Sequence, residues 1–327
     1  MTKTDGSKPA LVTYSGRVTK AHSGFFTIAS VEDGRPTTIV CNAAGRLTKK
    51  KHVHDALAVG DQVLFERIKS EGFVEGRIVE VLPRVRCLTR KDPITGTNAR
   101  EIQQVIIANL DVVVFVFSCA DPEFKPRMLD RYLVGAEAQH LPVIICATKV
   151  DLVGDLGAAR KIFADYEKID YRVIYVSTVT GLGIDELRTA LHSKLSVLTG
   201  KSGVGKSSLL NILKPGLALE VGKLSDLLKK GKHTTVVPEL FQLDDVSWVA
   251  DTPGLRAYAV WDVEAEELDA YYREIGALVN QCEFSDCNHL HEPGCAVREA
   301  VSHGAISLTR YDSYCRLREE LQRQPKW

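Results

Sequence analysis

The chain has 327 residues, 45% hydrophobic and 26% charged, with 42 basic residues balanced by 42 acidic ones. That length and balance fit two or three globular domains and exclude a disordered or collagen-like chain. No apolar run reaches the roughly 18 to 20 residues of a membrane-spanning helix, because Asp111 and Ser118 bracket VVVFVF and Lys149 soon interrupts LPVIICA. The opening MTKTDGSKPA lacks the apolar core of a secretory signal, so a soluble cytoplasmic protein with a frayed first segment is expected.

From Leu11 to about Arg90 short β-like runs alternate with turns, and Gly16, Gly24, Gly34, Gly60 and Gly72 punctuate them. The alternation in DQVLFERI and GRIVEVL suits half-buried strands. About five such strands suggest a small OB-like barrel. Residues 1–90 carry 15 Lys and Arg against 9 Asp and Glu, so the expected partner of this domain is a nucleic acid.

From about Glu101 long apolar strands alternate with helical segments, as in a parallel α/β sheet. Strands are expected at 111–118, 142–147, 172–176 and 195–199, with helices at 125–139, 155–168 and 184–192. A helix starting at Lys206 follows, then a polar loop and strands near 236–243 and 246–250. After Asp262 the chain reads as helical: VEAEELDAYYREIGALV has the spacing of one amphipathic helix, and AISLTRYDSYCRLREELQR of a closing one. The expected domains are therefore an OB-fold barrel over 1–90, a P-loop α/β domain over 91–260, and a helical metal-binding domain over 261–327.

The strand KLSVLT runs into Gly200, Lys201, Ser202, Gly203, Val204, Gly205, Lys206, Ser207 and Ser208, which satisfy G-x-x-x-x-G-K-[ST] between a strand and a helix. Glycines let backbone N–H groups wrap phosphates, the helix N-terminus adds positive potential, Lys206 reaches the β and γ phosphates, and Ser207 ligates Mg²⁺. Asp251-Thr252-Pro253-Gly254 follows the last strand as D-x-x-G, placing Asp251 on Mg²⁺ through water and the Gly254 N–H on the γ-phosphate. Between them, GKHTTVVPEL offers Thr235, with Thr234 close behind, to complete the Mg²⁺ shell as a switch.

The tetrad Thr148-Lys149-Val150-Asp151 ends another strand. An Asp there accepts two hydrogen bonds from N1–H and the exocyclic amine of guanine, which adenine cannot supply, while the Lys stem covers the base plane. Thr148 stands where such tetrads usually carry Asn and keeps a hydroxyl near the base. Ser177, after the next strand, begins a loop that also approaches the base. GTP and GDP are the expected ligands.

Ordinary GTPases run Walker loop, switch threonine, D-x-x-G, tetrad, serine loop. Here the order is tetrad, serine loop, Walker loop, threonine, D-x-x-G. Cutting the ordinary fold after D-x-x-G and joining its old ends between Leu191 and Leu195 produces this order, a circular permutation that leaves the spatial site unchanged.

The basic barrel, the permuted motifs GKSGVGKSSLLN, GKHTT and DTPGLR, and the segment C-x4-C-x-H-x5-C together resemble the RsgA (YjeQ) family. These are bacterial GTPases of late small-subunit maturation, and the likeness spans about residues 11–320. It implies a GTP hydrolase that binds the small (30S) ribosomal subunit and its rRNA, with turnover stimulated by the subunit and coupled to release. It also implies a monomer with no membrane partner. The departures are Thr148 for the usual Asn and Lys201 where Gln is common.

Leu255 follows D-x-x-G where a Ras-like enzyme has its water-orienting Gln, so unassisted hydrolysis should not exceed about 10⁻⁴ to 10⁻³ per second. His233, beside the switch threonines, is the candidate catalytic group, and the family resemblance points to the same position. Three thiolates and one imidazole, Cys282, Cys287, His289 and Cys295, suffice for a closed, structural Zn²⁺ site. His291 competes for the imidazole position, and the family spacing favours His289. The rival reading is a GTP-switched RNA-binding adaptor without significant catalysis.

Overall fold

The computed structural model describes residues 12–48, 57–68, 73–91, 103–216, 238–251 and 263–323. By internal contacts the chain divides into two units, residues 1–109 with 237–241 and residues 110–236 with 242–327.

In the first unit, β1 (Thr13–His22), β2 (Phe25–Glu32), β3 (Arg35–Ala43), β4 (Gln62–Arg67) and β5 (Gly76–Val81) form the barrel. Antiparallel pairs β1–β2, β2–β3, β4–β5 and β1–β4, with β3–β5 parallel, bring the sheet back on itself. Closure removes the unpaired edges that a five-stranded open sheet would expose. The first two connections are Ser23-Gly24 and Asp33-Gly34, with φ of 50° and 82°, then 49° and 74°. Positive φ at both turn positions gives the twist that a two-residue hairpin needs, which is why small, polar and Gly-containing pairs occupy them. Alternate residues point inward, and Val18, Ile28, Ile39, Cys41, Val63, Phe65 and Ile78 are fully buried. Gly16 lets β1 and β2 close over this core, since a Cβ there would lie 2.4 Å from Ile28 Cγ2 and 2.8 Å from the Ala29 carbonyl oxygen. The strands β6 (Cys87–Lys91) and β7 (Gln103–Ala108) form a separate antiparallel ladder in this unit.

The second unit is built on a parallel sheet. It contains β8 (Val112–Ser118), β9 (Val143–Thr148), β10 (Arg172–Tyr175), β11 (Leu195–Thr199) and β13 (Trp248–Asp251), in the order β10-β9-β8-β11-β13. β12 (Glu239–Gln242) precedes β13 in the chain. Helices α1 (Pro126–Ala138), α2 (Leu156–Glu167), α3 (Ile184–Leu191) and α4 (Lys206–Leu213) connect or follow these strands. All seven residues of β8 are buried, as expected of a central strand covered on both faces. The register pairs Val114 with Ile144, Leu198 with Val114, and Val197 with Ala250. Ser118, Thr148, Thr199 and Asp251 therefore end at one edge of the sheet, where α/β folds bind ligands.

The link between α3 and β11 is short and tied down. Ser193 N–H donates to Ser247 Oγ at 2.9 Å, Leu195 N–H to Asp111 Oδ2 at 2.7 Å, and Trp248 N–H to the Lys194 carbonyl at 2.8 Å. This is the segment that the permuted motif order requires as the join between the old chain ends.

The region after Asp262 departs from the single amphipathic helix expected. It consists of a 3₁₀ turn over Ala265–Tyr271, α5 (Arg273–Gly276) and a second 3₁₀ turn over Val279–Gln281. The apolar spacing is genuine, but Tyr272 is extended (φ −103°, ψ 104°) and drives its ring fully into the core at 86° to Tyr314. Asp269 also accepts the Ala270 N–H on its side chain, competing with helical bonding. Two helices follow, α6 (Ala296–Ser302) and α7 (Leu308–Arg323). Val134 of α1 joins Leu268, Tyr272, Ile275, Val297, Tyr314 and Leu317 in one buried cluster, so this region packs on the α/β sheet's own helices. No helix among the described residues is long and apolar enough to cross a membrane.

Candidate nucleotide site and metal centre

β11 delivers the loop 200–205 to the sheet edge, and α4 begins at Lys206 without a side-chain cap. Its first N–H groups therefore face the loop unsatisfied by the helix, a ready anion site. Gly200 passes so close to β8 that a Cβ would lie 2.2 Å from the Val116 carbonyl oxygen. Gly203 and Gly205 have φ of 84° and 96°, in the left-handed region that glycine enters without penalty. Lys206 Nζ donates to the Gly200 and Lys201 carbonyls at 2.7 and 2.8 Å, which holds the ammonium in the mouth of the loop. Ser207 and Ser208 lie in the first turn of α4, while Ser202 is exposed and Val204 is buried.

The tetrad comes from β9 at the same edge. Thr148 is 2% exposed, and its hydroxyl lies 2.6 Å from the Val204 carbonyl oxygen and 3.2 Å from that of Phe117. The hydroxyl that the tetrad places near the base thus also ties the tetrad to the phosphate loop. Lys149 adopts a left-handed φ of 59°, and its ammonium donates to the Asp121 carbonyl. Val150 is buried and anchors the turn, whereas Asp151 is exposed. Ser177, 1% exposed, donates its hydroxyl to Asp151 Oδ1 at 2.5 Å and accepts the N–H groups of Val179 and Thr180 at 3.2 and 3.1 Å. Those two donors fix the serine oxygen, and the serine fixes the carboxylate. An ionised carboxylate has about four lone-pair sites, so Asp151 retains acceptor capacity for a pair of N–H donors.

The segment Cys119–Lys125 was not among the residues singled out by sequence. Its Asp121 carbonyl holds Lys149, its Pro122 carbonyl accepts the Ser118 hydroxyl at 2.6 Å, and Pro122 Cδ lies 3.8 Å from where a Cβ on Gly203 would stand. Burial and then the Asp151 charge push the Cys119 thiol up to about 11, so it remains a neutral packing group.

Asp251 ends β13 one residue beyond Ala250, which pairs with Val197, and so stands at the edge that carries the phosphate loop. His233, Thr234, Thr235, Gly254 and Leu255 lie outside the described residues.

Cys282, Cys287, His289 and Cys295 converge, with all four ligand atoms within 4.8 Å of one another. His289 Nδ1 lies 3.5 Å from both Cys282 Sγ and Cys295 Sγ, and those sulfurs are 3.9 Å apart. A tetrahedral ion about 2.3 Å from sulfur and about 2.05 Å from nitrogen sets sulfur pairs about 3.8 Å apart and sulfur–nitrogen pairs about 3.6 Å apart. The spacings among Cys282, His289 and Cys295 match, and Cys287 lies within 4.8 Å of them, so the cluster can hold a metal ion. His291 is exposed and is not one of the four converging groups.

The cluster is held from outside. His289 Nε2 faces Asp269 Oδ2 at 3.3 Å, which assigns Nδ1 to the sulfurs and orients the ring. Glu292 accepts the N–H groups of Asn288, Leu290 and His291, each at 3.0 Å. Burial opposes its charge, but backbone N–H groups hold its carboxyl down to about 2. Glu292 lies within the Cys/His segment itself, whereas Asp269, 20 residues before His289, carries no motif and is brought to the cluster only by the fold.

Residues 81–261 match the sequence profile of the RsgA GTPase family. The chain is 44% identical over 278 residues to a small ribosomal subunit biogenesis GTPase RsgA of Gemmatimonas aurantiaca, covering 85% of this chain and 88% of that protein. It is 38% identical to the protein of the same name from a Geobacillus species, over 95% of this chain and 99% of the relative. Among solved structures, it resembles YjeQ from Thermotoga maritima with a TM-score of 0.74 and 34% identity, covering 96% of this chain and 100% of that one. It also resembles YloQ, described as a circularly permuted GTPase, with a TM-score of 0.72 and 31% identity over 97% and 98% of the two chains. With its permuted motif order, glycine-rich loop and TKVD tetrad, the chain belongs to the RsgA GTPase family of GTP-hydrolysing enzymes.

Proposed function

We propose that this enzyme binds GTP across the sheet edge described above and acts in maturation of the small ribosomal subunit, the process for which its relatives are named. The observation that carries the site assignment is that the 148–151 tetrad is bonded to the 200–205 loop through Thr148 and to Ser177 through Asp151. In this reading Asp151 accepts the guanine N1–H and exocyclic amine, and Lys149 covers the base. Backbone N–H groups of 200–205 and Lys206 hold the phosphates, with Ser202 and Ser208 flanking them. Ser207, Thr235 or Thr234, and Asp251 hold Mg²⁺, which neutralises the charge on the β and γ phosphates. Gly254 donates its N–H to the γ-phosphate. The Cys282, Cys287, His289 and Cys295 cluster holds one structural Zn²⁺, a role supported by its thiolate-rich, four-ligand composition.

The aliphatic Leu255 cannot orient water, so His233 is the group we assign to that task in the complex with the partner. Barrel and metal module are taken to dock on rRNA together. The test is GTP turnover by the purified protein with small subunits, large subunits or free RNA. Small subunits alone should accelerate it by at least about 100-fold, within the roughly 10⁵-fold range of assisted GTPases. His233→Ala should bind GTP normally and lose the acceleration. Tight GTP-dependent binding to small subunits with no acceleration would favour the adaptor reading.

A further inference from the structure

Buried charge joins the Cys/His module to the helix that follows the base-side loop. Arg310 of α7 is 2% exposed. Its Nη1 donates to Asp130 Oδ1 of α1 at 2.5 Å, while Nε and Nη2 donate to Glu274 Oε1 and Oε2 of α5 at 2.7 and 3.1 Å. Asp130 is fully buried and also accepts the Tyr166 hydroxyl of α2 at 2.8 Å. The guanidinium carbon lies 4.5 Å from the centre of the Tyr272 ring. Sliding or rotating α1 against α7 would uncouple a carboxylate from a guanidinium inside an apolar interface, which is strongly unfavourable. On the surface, Arg127–Asp312 at 2.7 Å and the Arg131–Glu320 pair hold the same two helices in the same register.

Each end of this lock touches a different site. α1 starts at Pro126, directly after the 119–125 loop that holds Lys149 and packs beside Gly203. α7 holds the metal-binding loop, since Tyr311 and Tyr314 donate their hydroxyls to the His289 and Asn288 carbonyls at 2.6 and 3.1 Å.

We propose that Arg310 is a positioning residue for the guanine site: by locking α1 to α7 it makes the loop over Lys149 and the Cys/His module one mechanical unit. Nucleotide then stabilises the module, and by reciprocity any displacement of α7 loosens the nucleotide. The inference rests on the assignment of the sheet edge as the guanine nucleotide site.

The experiment uses the full zinc-loaded chain. Saturating GDP should slow amide hydrogen exchange across 308–323 by at least about fivefold, and GDP should leave Arg310→Lys about 5- to 30-fold faster than the parent. Lysine keeps the charge but cannot span Asp130 and Glu274 with one planar fork. A purely structural role would lower the unfolding midpoint of Arg310→Lys and leave GDP release from the folded protein at the parental rate. That result, or unchanged exchange across 308–323 in the GDP-bound parent, overturns the proposal. If Arg310→Lys does not fold, the exchange measurement on the parent decides alone. Failure of the parent to bind GDP would instead overturn the site assignment beneath it.

Discussion

Thr148→Val replaces a hydroxyl by a methyl of nearly the same shape and tests what this residue does. One hydroxyl proton serves one acceptor well, and the 2.6 Å contact to the Val204 carbonyl is shorter than the 3.2 Å contact to Phe117. Thr148 and Val204 are both 2% exposed, so water cannot readily replace the lost donor. Leaving a buried carbonyl unpaired costs about 1–3 kcal/mol. If the phosphate loop relaxes to find another partner, that cost falls on the bound state and weakens GDP by about 5- to 150-fold. If the hydroxyl serves the loop and Asp151 reads the base, as proposed, IDP should weaken by the same factor, leaving the GDP-to-IDP preference intact. Competition binding with GDP, IDP and ADP measures this directly. Unchanged GDP affinity would refute the reasoning, and a loss confined to GDP while IDP binds as before would return Thr148 to base recognition. Thr148→Asn, whose amide can donate to the same carbonyl, should bind more nearly like the parent.

Gly200→Ala should abolish nucleotide binding while the barrel stays folded, because its Cβ would meet the backbone of Val116 at 2.2 Å and no side chain can move aside; normal GTP affinity in that variant would contradict the loop geometry. Metal analysis of the purified chain should find one zinc, and chelation or Cys295→Ser should unfold residues 282–295, seen as rapid proteolysis there. Asp269→Asn should retain the fold but lose zinc to a competing chelator with about 10- to 100-fold weaker affinity, since the His289 ring loses its charged orienting partner. Zinc retention equal to the parent would assign Asp269 a role in the 3₁₀ turn alone.

Local patterns carry much of this protein in its sequence. The parallel strands announce themselves because β8 and β9 must be apolar on both faces, and the hairpins at Ser23-Gly24 and Asp33-Gly34 because positive φ limits which residues can turn there. The glycine loop, the tetrad and the Cys282, Cys287, His289 and Cys295 cluster are legible for the same reason: each depends on residue types at fixed spacing. Their misplaced order is itself legible, since a permutation rearranges the chain and leaves every motif intact.

What depends on distant packing is absent from that record. Periodicity suggests one helix after Asp262, but Tyr272 breaks it to fill a core shared with Tyr314, a residue 42 positions away. The direction of the Thr148 hydroxyl, the carboxylate behind His289 and the Arg310 lock arise from contacts made only once the sheet and helices have assembled. Thus the sequence alone determined the chemistry available at each strand end and loop, because spacing within a motif is a local property. Tertiary structure decided which of those groups face one another, because a hydrogen bond or buried ion pair exists only where folding has brought both partners together.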